Sequence, residues 1–270
     1  MHLIVKRGVA LGVFILALGA AAFAAIWWLK PRPESKPQRA AATLPQFCRD
    51  QDFEGVGYVI CEIDTREYAL ELFHADGSGK AFGSLKAFDA AMVGRGRRPL
   101  LSMNAGMYHE DLSPVGLLVE QGVQVRPITL ADGKGNFFMK PNGVFSIAKA
   151  GTVAITESSV YAVAAPTVAF ATQSGPMLVI DGELHKRFEE NGSSRYIRNG
   201  IGIRDPHTLM LAISRKPVSF GSFGRLFRDA LACPNALYFD GAISAMSNGK
   251  EMIVGGAHPV GPILAVFEKG

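Results

Sequence analysis

Four short segments of this chain end a hydrophobic run with a small residue and a polar one, a pattern that can carry chemistry. The first is Leu100-Leu101-Ser102-Met103-Asn104-Ala105-Gly106-Met107-Tyr108, followed by His109-Glu110-Asp111. The second is Lys140-Pro141-Asn142-Gly143, and the third is Gln173-Ser174-Gly175-Pro176 with Arg198-Asn199-Gly200 after it. The fourth is Tyr238-Phe239-Asp240-Gly241-Ala242-Ile243-Ser244. Small residues at such ends let the backbone approach a ligand closely, while the strand fixes the polar side chain. Asp240 directly follows a run that reads as a buried strand, so its carboxylate is a base or nucleophile, or else the acceptor of an Asx turn. Arg198 falls on what should be a mid-sheet strand, where it needs an anionic partner: a protein carboxylate, or a ligand phosphate or carboxylate. His109-Glu110-Asp111 is a dense ionisable cluster that could transfer protons or simply form a solvated loop.

Several chemistries are excluded. His109-Glu110 is followed at position 113 by Ser rather than His, so the zinc-protease motif fails on spacing. Ser174 lacks the Gly-x-Ser-x-Gly elbow of a hydrolase nucleophile and reads as a hydrogen-bonding or turn residue. No phosphate-cradling Gly-x-x-x-x-Gly-Lys-Ser/Thr run and no Cys-x-x-Cys pair is present. No cofactor is expected; oxygen ligands suffice for a divalent metal, but no spacing among them is diagnostic. Residues 1–40 hold six basic residues and one acid, leaving 22 basic against 23 acidic residues for the remainder. The pI near 9.0 thus belongs to the N-terminal tail, and a balanced globular part offers no footprint for nucleic acid.

The elements that must position these segments follow from periodicity. Glycine is 30 of 270 residues, about 11% against a usual ~7%, which points away from a helical bundle. Period-two runs predict strands over 56–64, 68–74, 99–103, 115–120 and 123–128. Further strands are predicted over 143–147 paired with 152–156, 176–180, 201–204 paired with 208–213, 236–239 and 263–267. Gln121-Gly122, Ala150-Gly151 and Asp205-Pro206 sit where hairpin turns belong. Ser84 caps a helix with Leu85, Phe88 and Met92 on one face, and Ser219 caps another carrying Phe220, Phe223, Phe227, Ala230 and Leu231. The expected fold is α+β, strand-dominated, with a mixed or antiparallel sheet and a few packed helices, not a doubly wound or barrel architecture.

Three parts are expected: an N-terminal signal anchor or signal peptide over 1–30, a linker over 31–43, and one domain over 44–270. Gly8–Leu29 is 22 uncharged residues flanked by Lys6-Arg7 and Lys30, long enough for one transmembrane helix, with Trp27-Trp28 as an interface anchor. Ala20–Ala25 could instead offer a cleavage site. Either route sends the domain to a periplasmic or extracytoplasmic location, held at the inner membrane by residues 8–29 or secreted. Cys48 and Cys61 are close enough to staple the first loop to the first strand, and Cys233 is left over.

Taken together, the four segments resemble the phosphodiester glycosidase family, whose best-known member is the lysosomal "uncovering enzyme". Asn104-Ala105-Gly106-Met107-Tyr108 is similar to its Asn-Gly-Gly-aromatic motif, Ser174-Gly175-Pro176 to its Ser-Gly-Pro, and Arg198-Asn199-Gly200-Ile201-Gly202 to its Arg-x-x-hydrophobic-Gly. Its Leu-Asp-Gly-Gly-Gly-Ser is met partly, by Phe239-Asp240-Gly241-Ala242-Ile243-Ser244, which lacks two of the glycines. The resemblance spans roughly 55–268 and is strongest to a bacterial, envelope-directed branch reading Asn-Ala-Gly-Met-Tyr-His and Lys-Pro-Asn-Gly-Val-Phe. It implies hydrolysis of the glycosidic bond of a sugar phosphodiester. Asp240 would be base or nucleophile, and His109 or Asp111 the second proton-transfer group. Arg198 would clamp the phosphate, helped by Lys140 and the amides after Ser174 at Gly175. Asn104 and Asn142 would bind sugar hydroxyls, with Tyr108, Asn199 and Ser244 completing the substrate site. The expected partners are a sugar phosphate or glycan and, through the N-terminal helix, a membrane. The alternative reading is a non-catalytic envelope protein that binds a glycan or glycolipid, related to exopolysaccharide.

Overall fold

Alternation along the strands builds three sheets around one shared core, as seen in a computed structural model that describes residues 42–241 and 243–269. The strands of the first sheet are β1 (Cys48–Phe53), β2 (Val56–Asp64), β10 (Met177–Ile180), β11 (Glu183–Leu184), β12 (Asn199–Asp205), β13 (Thr208–Ser214) and β14 (Asn235–Asp240). Their spatial order is β1-β2-β13-β12-β14-β10-β11. A second sheet holds β3 (Tyr68–Phe73), β4 (Leu101–Asn104), β15 (Met246–Ser247), β16 (Met252–Val254) and β17 (Ile263–Glu268), in the order β16-β15-β4-β17-β3. The third holds β5 (Leu118–Glu120), β6 (Val123–Arg126), β7 (Gly143–Ile147), β8 (Val153–Glu157) and β9 (Phe170–Ser174), in the order β6-β5-β9-β7-β8. The neighbouring strands pair antiparallel throughout.

One face of every sheet enters the common core. Val59, Cys61 and Ile63 of β2 meet Leu72 of β3, Met103 of β4, Phe145 of β7 and Phe239 of β14 there. The alternate residues face outward, and each outer face is covered by a helix, as period two demands when both faces are buried. Helix α1 (Leu85–Gly94) puts Leu85, Phe88 and Met92 on the second sheet, and Ser84 caps it by accepting from Ala87 N–H. Helix α2 (Ser158–Ala164), which sequence periodicity missed, lays Tyr161 on the third. Helix α3 (Phe220–Arg225), capped by Ser219 and continued as a π-helical turn over Leu226–Ala230, puts Phe223 and Phe227 on the first.

The predicted strands are present within a few residues, and all three predicted hairpins form. Cys48 lies in a strand rather than a loop: it sits directly opposite Cys61 in the β1–β2 ladder, and the two form a disulfide. Cys233 is a buried free thiol whose pKa is pushed up to about 12 by burial. Among the described residues no helix is long and apolar enough to cross a membrane. The predicted span over 8–29 lies outside them.

Candidate active site

The last residues of β4 and β14 and the first of β12 meet at one place. Asn199 stands opposite Asp240 in the β12–β14 ladder, where a bulge follows between Asn199 and Gly200. Asn199 Oδ1 accepts from the Asp240 N–H at 3.1 Å. Its Nδ2 donates to the Asn104 carbonyl at 2.8 Å and to Asn104 Oδ1 at 3.0 Å. Asn104 Oδ1 also accepts from Ala245 N–H at 2.9 Å, which sets the orientation of that amide. Ser244 Oγ lies 3.0 Å from the Asp240 carbonyl, 2.9 Å from that of Ile197 and 3.2 Å from Asn199 Oδ1, and donates its single hydrogen within this set. Asp240 Oδ1 accepts from Gly241 N–H at 2.6 Å, with Ile243 N–H at 3.5 Å, so the carboxylate is held against the turn that follows its strand.

One polar atom in this network is unspent. Asn104 is wholly buried, and its Nδ2 has no hydrogen-bond partner among the described residues. Leaving a buried donor unpaired costs about 1–3 kcal/mol, so a fold that keeps it presents a ready site for an acceptor such as a sugar hydroxyl.

Arg198, immediately before β12, is the largest fully buried side chain. Among the described residues no carboxylate forms an ion pair with it. Nε donates to the Val218 carbonyl at 2.9 Å and Nη1 to Tyr238 Oη at 3.0 Å. Nη2 donates to Ser194, 2.9 Å from its carbonyl and 3.3 Å from Oγ. Counting one hydrogen per bond, one guanidinium hydrogen on Nη1 remains among the described residues. The guanidinium carbon lies 3.6 Å from the centroid of the Phe220 ring. Burial lowers the pKa of Arg198 and raises that of Tyr238. A side chain at position 241 would overlap Tyr238 Oη and come 3.2 Å from Arg198 Nη1, so Gly241 lets the turn after Asp240 lie on the guanidinium. That is the close approach the sequence pattern called for.

The other candidates divide. Ser174 is buried and donates to the Phe239 carbonyl at 3.2 Å, tying β9 to the strand that carries Asp240. Gly175 packs so tightly on Asn142 that a Cβ would stand 2.5 Å from its side chain, and Asn142 Nδ2 donates to the Phe137 carbonyl at 2.9 Å. Tyr108 donates to the Pro259 carbonyl at 2.7 Å, and burial together with the nearby Asp240 charge raises its pKa. Lys140 turns outward: Nζ pairs with Asp132 and donates to the Leu130 carbonyl, both at 2.7 Å. His109 and Asp111 stand in an exposed turn. Asp111 Oδ1 accepts from Ser113 Oγ and N–H, which holds its carboxyl below the usual range.

The structure also adds residues that spacing did not reveal. Tyr238 belongs to the segment singled out for Asp240 but reads in sequence as mere strand, while Phe220 reads as helix core. A cavity of about 240 Å³ opens beside them, walled in part by Asn136, Phe188, Ser194 and Phe220. Among the described residues no group of three His, Cys, Asp or Glu side chains is placed to hold a metal ion.

The chain is similar to known proteins. A family model described as phosphodiester glycosidase matches residues 98–267. The uncharacterized protein YigE of Escherichia coli (strain K12) is 33% identical over 203 residues, covering 74% of this chain and 78% of that protein. The catalytic domain of zebrafish N-acetylglucosamine-1-phosphodiester alpha-N-acetylglucosaminidase, auto-inhibited by its pro-peptide, superposes with a TM-score of 0.60 at 14% identity, over 83% of this chain and 82% of that one. A hypothetical protein from Synechocystis gives a TM-score of 0.55 at 14% identity over 82% of this chain and 61% of its own. At that identity the two structures speak for the fold alone.

Proposed function

Because the chain belongs to the phosphodiester glycosidase family, we propose that it is a hydrolase cleaving the glycosidic bond of a sugar 1-phosphodiester in the bacterial cell envelope. The observation that carries this reading is the junction of Asp240, Asn199 and the unspent Asn104 amide, with Gly241 laid on the Arg198 guanidinium. A carboxylate, a sugar-hydroxyl donor and a buried cation are thereby collected at one strand end.

In this mechanism water adds to the anomeric carbon, the carbon–oxygen bond to the phosphate breaks, and its electron pair leaves on the phosphate oxygen. A phosphate monoester is a stable leaving group and needs little proton donation, which relaxes the usual demand for two carboxylates of divergent pKa. Asp240 serves as base or nucleophile at the anomeric carbon. Arg198 offsets the charge gathering on the leaving phosphate through its remaining Nη1 hydrogen, its fork being held in advance by Val218, Tyr238 and Ser194. Asn104 Nδ2 binds a ring hydroxyl. His109 and Asp111 lie in a loop that would have to fold inward to take part, and Lys140 would have to leave Asp132. The envelope location draws support from the uncharged Gly8–Leu29 stretch.

The test is to incubate the full-length protein with a panel of hexose 1-phosphodiesters and follow released sugar and phosphomonoester. Wild type should release both, and Asp240→Asn should turn over at least ~100-fold more slowly, within the usual range for acid–base groups. Equal rates would remove Asp240 from the mechanism. Binding without release would instead favour a non-catalytic glycan binder, a reading suggested by Ala242 and Ile243 standing where the family has glycines.

A further inference from the structure

Arg198 terminates a column of stacked groups that begins at a buried histidine. The His185 ring lies 4.7 Å from that of Phe188 with 24° between planes. Phe188 lies 5.0 Å from Phe220 at 12°, and Phe220 carries the guanidinium of Arg198 on its ring, 3.6 Å from centroid to carbon. His185 is only 2% exposed and both ring nitrogens are engaged. Nδ1 accepts from the Arg187 N–H at 3.2 Å, so Nε2 holds the ring proton and donates to the Lys140 carbonyl at 3.1 Å. This hydrogen-bond pattern admits only the neutral ring, because a second ring proton would face the Arg187 N–H. The imidazole thus ties the segment carrying Asn136 and Asn142 to the loop whose Ser194 accepts from Arg198.

We infer that His185 is a positioning residue for Arg198: its neutral ring seats Phe188 and Phe220, and through them fixes where the guanidinium meets a phosphate. The inference rests on Arg198 being the phosphate clamp of the proposed reaction. Protonation at Nδ1 removes the acceptor for Arg187 N–H and loosens the column from its far end. Burial is the largest influence set against that proton and holds the ring below its ordinary range, although the bond to the Lys140 carbonyl acts the other way. On its own segment stand Lys186, Arg187, Glu189 and Glu190, of which Arg187 opposes protonation by charge. The segment ending at Lys140 presents a carbonyl, its ammonium being paired with Asp132. From α3 comes the uncharged Phe220, the helix's Arg225 being paired with Glu54. With burial dominant and the Arg187 charge adding to it, the loosening belongs to acid pH, below the usual ~6.5.

The experiment uses the full chain, with His185→Gln and His185→Ala. Glutamine keeps an acceptor and a donor but does not titrate. The first readout is the Arg198 side-chain Nε–H resonance, which the Phe220 ring current displaces. The second is affinity for the methyl ester of a C-glycosyl phosphonate, a non-hydrolysable diester mimic with constant single charge. In a titration from pH 7.5 to 4.5 wild-type affinity should fall below the usual ~6.5, reaching about 5-fold once the ring is protonated, the lower end of ordinary coupling between linked sites. His185→Gln should bind as wild type at pH 7.5 with a flat profile, and His185→Ala should bind weakly throughout with its Arg198 signal moved. A glutamine profile that tracks wild type overturns the inference, as does an alanine variant with an unmoved Arg198 signal. Binding with the expected profile but no hydrolysis of any diester would sink the hydrolase reading and leave His185 in its role. No binding at any pH would refute the phosphate clamp, and the inference with it.

Discussion

Asn199 spans the gap between the two strand ends that carry the site: one end of its amide holds the Asp240 N–H and the other holds Asn104. Among the described residues no other side chain of the cluster bonds to both β14 and β4. Asn199→Asp keeps the acceptor for Asp240 but loses both Nδ2 donations and sets a carboxylate against Asn104 Oδ1. The side chain is fully buried. The expected cost is about 1–3 kcal/mol of stability, read by denaturant unfolding. Turnover should fall as much as ~100-fold, as befits a reacting group misplaced by about an ångström. Unchanged turnover would show that Asn104 and Asp240 do not need a common anchor.

Arg198→Lys tests whether the guanidinium fork or merely the positive charge matters. Lysine presents three donors from a single point and cannot reach the Val218 carbonyl, Tyr238 Oη and Ser194 together. Acceptors left unpaired in this buried place should cost about 2–4 kcal/mol. Binding of hexose 1-phosphate should weaken at least ~10-fold, since the fork geometry that matches a phosphate is gone. Calorimetric titration beside a thermal melt separates the two effects. Wild-type binding by a folded lysine variant would reduce Arg198 to a structural role.

What could be read in advance and what could not divides along physical lines. Strands β2 and β13 are legible because their alternate residues serve two apolar layers, so both periods are hydrophobic, and β12 because Ile201 and Ile203 alternate with Gly200 and Gly202. Strand β9 is not, because its residues turn polar groups inward. Thr172 bonds to the Ala105 carbonyl, Gln173 to Leu117 and Thr129, and Ser174 to Phe239. Strand β1 hides for another reason: Arg49, Asp50 and Asp52 read as a loop until β2 supplies a ladder and Cys61 a partner. In the site, Asn104, Asn199, Asp240 and Ser244 announced themselves as polar ends of strands. The column from His185 to Arg198 could not, since stacking joins residues whose sequence separation carries no signal. Nor did Lys140 beside Pro141 reveal that its side chain would turn toward Asp132.

The β1–β2 disulfide supports an edge strand that carries little apolar surface of its own. Cys48 and Cys61 close a loop with a sequence separation of 13. In the chain-entropy account such a loop restrains the unfolded chain by roughly 3 kcal/mol. Replacing both cysteines by serine should lower the stability by up to that amount while leaving turnover intact, because β12 and β14 lie on the far side of β2 and β13. Reduction of wild type should match the double variant in a thermal melt. A loss of activity that outruns the loss of stability would tie β1 to the site.

Asp89 gives the protein a pH dependence of the opposite sense to that of an ordinary surface carboxylate. It lies buried on α1 and accepts from Ser102 Oγ on β4 at 2.8 Å and from Ser247 Oγ on β15 at 2.5 Å. Burial raises its pKa, and the two hydroxyls only partly offset this. A carboxyl whose folded pKa lies above its unfolded value binds its proton more tightly when folded. Its stabilising contribution is therefore complete below about 3.9 and is lost as pH rises through the raised folded value. Asp89→Asn removes that titration. Between pH 4 and 7 the variant should gain stability relative to wild type, as followed by urea unfolding at several pH values. A difference that stays flat across this window would mean that Ser102 and Ser247 stabilise the ionised carboxylate as fully as water does.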